Sequence, residues 1–152
     1  MNTVITNSAA ETRELGKRLA EKLKAGDVIL LEGDLGAGKS EFARGVAKGL
    51  GVTETVTSPS FTILNAYDSG RLPLYHFDWY RLQDPEELYE LGLEEYLGGD
   101  GVALVEWPGQ APEALPRDFL MIEILPEGEN RRTFRTRRHG CFRGLKWDGE
   151  EA

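Results

Sequence analysis

Val28-Ile29-Leu30-Leu31-Glu32-Gly33-Asp34-Leu35-Gly36-Ala37-Gly38-Lys39-Ser40 decides the fold. A compact apolar run over Asp27–Glu32 reads as a buried strand. The loop that follows has glycine at 33, 36 and 38, then a lysine and a hydroxyl residue, the pattern GxxxxGK[ST]. Glycines at these positions let the backbone curl until several amides point inward at an anion. A helix starting at Lys39 adds the partial positive charge of its N-terminus. Phe42, Val46 and Leu50, with Ala43 and Ala47, give that helix one apolar face, and Gly51 stops it. Strand, glycine loop and helix together predict a P-loop holding the phosphates of ATP or GTP with Mg²⁺. The expected nucleotide contacts are Asp34, Leu35, Gly36, Ala37, Gly38, Lys39, Ser40 and Glu41. Lys39 is expected at the β- and γ-phosphates and the Ser40 hydroxyl on the metal.

Outward from the loop, the remaining pattern alternates short strands and helices. Val4–Thr6 reads as a first strand. Ser8 and Glu11 form a capping box, and Leu15, Leu19 and Leu23 predict an amphipathic helix over 9–24 ended by Gly26. Phe61–Tyr67 and Leu72–Phe77 read as two strands joined at Asp68-Ser69-Gly70-Arg71. Asp84-Pro85-Glu86-Glu87 opens a helix to about Leu91, with a short second piece to Leu97. Val102–Val105 is a short buried strand, and 118–125 with 132–138 form a hairpin about Glu127-Gly128-Glu129. The order predicts a three-layer α/β P-loop NTPase domain with a central mixed, mostly parallel sheet. It occupies residues 1–140, with 141–152 as a loose C-terminal tail.

Composition bounds the rest. A chain of 152 residues with 40% hydrophobic and 29% charged residues is one ordinary globular domain. The single cysteine, Cys141, excludes an intrachain disulfide and a four-cysteine zinc site. No signal-peptide pattern or membrane-length apolar run occurs, so a cytoplasmic protein is expected. Net charge is −8, divided into −12 over residues 1–130 and +4 over 131–152. An acidic body is a poor ligand for nucleic acid, because affinity there comes from neutralising phosphates.

A P-loop site needs an acid for the metal, commonly at the end of a neighbouring strand. Asp78 after Leu74–Phe77 and Glu106 after Val102–Val105 both qualify, since ligands bind at the carboxyl edge of open α/β sheets. Each acid is equally compatible with an ordinary solvated strand end. Ser58, Ser60 and Thr62 lie where switch segments of NTPases contact metal or γ-phosphate, although Ser58-Pro59 is also a plain turn signal. His76, two residues before Asp78, shares its strand face and reads as a polar relay or a satisfied structural histidine. Arg44 and Arg81 are candidates for stabilising transition-state charge.

The motifs "GDLGAGKSEFARG", "TSPSFT", "LYHFDWYRL" and "VEWP", in this order and spacing, closely resemble the TsaE (YjeE) family over residues 8–138. The resemblance implies a small bacterial P-loop ATPase. Such proteins support formation of threonylcarbamoyladenosine beside the anticodon of tRNAs reading codons that begin with A. It implies a complex with TsaB and TsaD, TsaD carrying the transfer chemistry and ATP hydrolysis to ADP resetting the complex between turnovers. Hydrolysis by the isolated protein is expected to be weak. Lys39, Asp78 and Glu106 become the catalytic set, with Ser40 and Glu106 on the metal and Asp78 positioning water or the switch. Trp107 is then near the nucleotide or partner surface, or a core aromatic. Ser60 and Ser40 stand where the family often has threonine, and both retain the hydroxyl. The choice of ATP over GTP rests on the family, since no guanine-reading NKxD occurs.

Arg131-Arg132-Thr133-Phe134-Arg135-Thr136-Arg137-Arg138-His139 is the one strongly basic stretch. It reads as a solvated edge strand, charged against edge pairing, or as a surface for tRNA or an acidic partner. Two other functions share the P-loop. A small-molecule kinase would add an arginine-rich lid, where this chain has a hairpin and an acidic helix. A nucleotide-gated assembly module would hydrolyse nothing and would not need the two acids.

Overall fold

The computed structural model describes residues 2–34, 38–57, 59 and 63–145. Among the described residues seven strands form one sheet: β1 (Asn2–Thr6), β2 (Val28–Glu32), β3 (Leu64–Tyr67), β4 (Leu74–Asp78), β5 (Val102–Glu106), β6 (Phe119–Pro126) and β7 (Arg132–His139). Their order is β1-β7-β6-β2-β5-β4-β3. The centre, β6-β2-β5-β4, is parallel, while β7 runs antiparallel to both β6 and β1, and β3 antiparallel to β4. Five of the seven strands therefore share one direction, and the sheet is mixed as its sequence pattern predicts.

Alternating residues divide the core between the two faces. Ile29, Leu31, Leu104, Ile122 and Phe134 pack beneath α1 (Ala9–Ala20) and α2 (Lys39–Gly49). Val28, Leu30, Phe77, Ala103 and Val105 face the opposite layer, which includes Leu88 of α3 (Glu86–Glu90) and Leu93 and Tyr96 of a 3₁₀ turn. The starts of α1 and α3 follow their local signals. Ser8 Oγ accepts from Glu11 N at 3.1 Å while Glu11 Oε1 accepts from Asn7 N at 3.0 Å. Asp84 Oδ1 accepts from Glu86 N at 3.0 Å. The first helix ends at Ala20, earlier than the leucine spacing suggests, yet Leu23 remains buried beyond its last turn.

The packing of α1 on α2 fixes how the glycine loop is presented. Gly45 lies so close to α1 that a β-carbon there would stand 2.0 Å from the Arg13 carbonyl oxygen. Arg13 also ion-pairs with Glu41 in the first turn of α2.

Two expectations change. The basic strand is not an edge, because β1 pairs along its outer side; Thr133, Phe134 and Thr136 are buried. The segment after residue 140, expected as a loose tail, docks as far as Leu145. Phe142 is buried in the α1–α2 core and Leu145 packs against it. Arg143 donates to both carboxylate oxygens of Asp27 at 2.8 and 2.7 Å, and to Lys22 O at 2.8 Å. Residues 146–152 lie outside the described residues.

Candidate functional site

The loop between β2 and α2 opens at the carboxyl edge of the parallel strands. Leu35, Gly36 and Ala37, three of the expected phosphate contacts, lie outside the described residues, as do Ser58, Ser60 and Thr62. Gly38 precedes α2 with φ of 105°, a left-handed conformation that glycine adopts without strain. Among the described residues no side chain caps this helix, which leaves the amides of its first turn available to an anion. Ser40 is exposed beside them. Glu41 turns its carboxylate to Arg13 and Arg44, leaving its backbone amide for any phosphate contact.

Lys39 is 5% exposed, which a cation tolerates only with partners. Its Nζ donates to Gly33 O at 2.7 Å and stands 3.9 Å from the ring centroid of Trp107. Burial pushes the ammonium below the ordinary lysine range, against the pull of the Glu106, Asp78 and Asp34 carboxylates.

Those two strand-end acids meet because β4 and β5 are parallel neighbours in a register that sets Asp78 opposite Glu106. Both are buried, at 6% and 5% exposure. Asp78 Oδ1 accepts from Tyr80 N at 2.9 Å, which fixes the turn leaving the strand. Glu106 Oε2 meets His76 Nε2 at 2.6 Å. After Glu106 the chain turns sharply. Trp107 has φ of 57°, costly for a bulky residue, and this conformation accompanies its place over Lys39 and against the Tyr80 ring at 4.8 Å.

Of the sequence-derived set, Lys39, Asp78 and Glu106 converge, with Ser40 at the start of the same helix. Arg44 is tied to Glu41 and borders a small void with Ser40, Thr57 and His76. Arg81 is exposed in the turn after β4. Two features escaped the sequence, the place of Arg132 and the His76–Glu106 contact. Arg132 lies against the loop, its Nε 3.4 Å from where a Gly38 β-carbon would be. Trp107, expected near the nucleotide or partner surface or as a core aromatic, is a direct partner of Lys39. The His76–Glu106 contact joins two strands and left no local trace beyond the i, i+2 spacing of His76 and Asp78.

The donors present fit a nucleotide triphosphate and Mg²⁺. An uncapped helix start, a buried lysine and paired carboxylates suit phosphate and a hard cation. Fold and site together define an α/β P-loop domain.

The comparisons carry this further. The model of the family described as "Threonylcarbamoyl adenosine biosynthesis protein TsaE" matches residues 6–134. The chain is 50% identical over 127 residues to the tRNA threonylcarbamoyladenosine biosynthesis protein TsaE of Bacillus subtilis, covering 84% of this chain and 79% of that one. It is 47% identical over 116 residues to the TsaE protein of a Nostoc species, covering 74% and 71%. The crystal structure of Bacillus subtilis YdiB superposes with a TM-score of 0.78 at 43% identity, over 91% of this chain and 84% of that one. The chain belongs to the TsaE family of tRNA threonylcarbamoyladenosine biosynthesis proteins. No helix among the described residues is long and apolar enough to cross a membrane.

Proposed function

We propose that this protein is a Mg²⁺-dependent ATPase that converts ATP to ADP and phosphate within a complex with TsaB and TsaD, resetting that complex between rounds of tRNA modification. One observation carries the reading: a buried lysine at the start of α2, within the field of two buried carboxylates from adjacent strand ends. A structural lysine has no need of that setting. An ammonium about to receive phosphate oxygens does.

Each residue has a defined task in this reading. Lys39 exchanges Gly33 O for the β- and γ-phosphates, and the amides from Gly38 to Glu41 hold the same oxygens. Ser40 and Glu106 hold the metal, and Asp78 orients the attacking water or the switch segment. Bound Mg²⁺ supplies neutralisation of charge on the β- and γ-phosphates. Trp107 covers Lys39 and keeps water from it. In the test, Asp78→Asn and Glu106→Gln keep ATP binding within a few fold while turnover falls about 100-fold or more, since one loses the carboxylate that orients water or the switch and the other the carboxylate that holds the metal in the transition state. Unchanged turnover in both variants contradicts the reading.

The family pathway also brings tRNA near, and the basic strand is its proposed contact. Arg131 and Arg135 are paired with Glu127 and Glu123. The side chains of Arg137 and Arg138 make no ion pair or hydrogen bond among the described residues, and they border an open cavity of about 500 Å³ with Arg143. Charge reversal at Arg137 and Arg138 should weaken assembly or tRNA binding and leave ATP affinity unchanged; unaltered binding would refute the contact.

A further inference from the structure

His76 sits on β4 with its side chain 3% exposed, and its Nε2 is 2.6 Å from an oxygen of Glu106, whose side chain is 7% exposed. A carboxylate only accepts, so Nε2 is the donor. A histidine buried for packing alone would satisfy both ring nitrogens. Here Nδ1 is buried without a hydrogen-bonding partner among the described residues, an uncommon and costly condition. The ring borders a void of about 10 Å³ with Ser40, Ala43, Arg44, Val56 and Thr57. His76 therefore touches Glu106 on one side and reaches the neighbourhood of Ser40 on the other. These are the two groups assigned to the metal, one on β5 and one on α2.

We propose that His76 is a positioning residue for the metal: it locks the Glu106 carboxylate toward Lys39 and Ser40, and its free Nδ1 is kept for a donor of the loaded site. The inference rests on the nucleotide–Mg²⁺ reading of the site. Its physical basis is rotamer control. Glutamate has three side-chain torsions, and a carboxylate that must meet a metal at fixed distance gains from an outer hydrogen bond that removes the alternatives. Asp78 is shorter and anchored by its own turn amide, so it does not need such a partner. His76 stands opposite Leu104 in the register, two residues before Glu106 on the same face of β5. The contact is thus a diagonal one that only the parallel pairing of β4 with β5 provides.

The test compares wild type, His76→Leu and His76→Gln by binding of a fluorescent ATP analogue, with EDTA and across a Mg²⁺ titration, alongside thermal melting. Leucine fills the space but cannot donate; the glutamine amide can. His76→Leu should bind the analogue in EDTA within about twofold of wild type. Its half-saturating Mg²⁺ concentration should rise about 10- to 100-fold, the usual cost of losing an outer partner of a metal ligand. His76→Gln should recover most of that shift. A folded His76→Leu with the wild-type Mg²⁺ requirement overturns the proposal. If the leucine variant does not fold, His76→Gln decides alone. A requirement within about threefold of wild type supports it, and a shift as large as that of Glu106→Gln overturns it. Wild-type protein whose nucleotide binding ignores Mg²⁺ would instead overturn the metal reading itself, before His76 is at issue.

Discussion

Replacing Arg143 with alanine should destabilise the fold and leave the nucleotide site untouched. Asp27 is 7% exposed and accepts three charge-assisted or amide hydrogen bonds: two from Arg143 and one from Lys24 N at 2.7 Å. Truncation leaves a mostly buried carboxylate with one partner, and frees Lys22 O as well. Breaking a fully buried pair from one side costs about 3–5 kcal/mol. The Arg143 side chain is 33% exposed, so water can reach the vacated space and the cost falls to roughly 2 kcal/mol. For a domain of this size that lowers Tm by about 4–8 °C. Asp27 precedes β2 while the glycine loop follows it. The two are separated by a five-residue strand, about 17 Å. ATP-analogue affinity should therefore stay within about twofold. Differential scanning calorimetry of wild type, Arg143→Ala, Asp27→Asn and the double variant gives the coupling directly. A Tm change below 1 °C, or additive effects of the two single changes, would refute the docking of residues 141–145.

Two further predictions test the frame around the site. Gly45→Ala forces a β-carbon against the Arg13 carbonyl of α1. Overpacking against backbone costs about 3 kcal/mol and helix propensity returns about 1, a net loss near 2 kcal/mol. Gly109→Ala, where a β-carbon meets nothing within 4 Å, is the neutral control in the same melting assay. Tyr75 donates to Asp100 Oδ1 at 2.7 Å, and that bond is the main cause holding its phenol up to about 12. The folded value lies above the unfolded one near 10, so the contribution is full below pH 10 and is lost as pH rises from 10 to 12. Denaturation midpoints should fall across that window more steeply for wild type than for Tyr75→Phe; parallel curves would contradict the assignment.

What the sequence could show was local. The glycine spacing, the apolar run before it and the helical face after it specify strand, loop and α2, and the structure has both flanking elements, β2 and α2, where they were expected. Asp78 and Glu106 could be picked out singly as strand-end acids, because each follows a run of apolar residues. That they stand opposite one another depends on β4 lying beside β5, a pairing made across the intervening α3 and 3₁₀ turn. Strand order was equally nonlocal. β6 inserts in parallel beside β2, and β1 closes on the outside of β7, which turned an expected edge into an interior strand. Phe142 and Arg143 looked like tail because their partners are remote, Asp27 being 116 residues away. Glu41 matched a phosphate-contact position through its backbone amide, and its side chain pairs with Arg13 across the α1–α2 contact. His76 offered two meanings in sequence, and its contact with Glu106 is made across two strands that only the fold brings together.

We propose that Lys39 receives the phosphates of ATP within a complex with TsaB and TsaD. That proposal is tested most directly by ATP hydrolysis of the purified protein, alone and with TsaB–TsaD, beside Lys39→Ala. Slow turnover alone, stimulation by the partners, and loss of both in Lys39→Ala with the fold retained are expected. Partner binding with turnover no higher than in Lys39→Ala would contradict it.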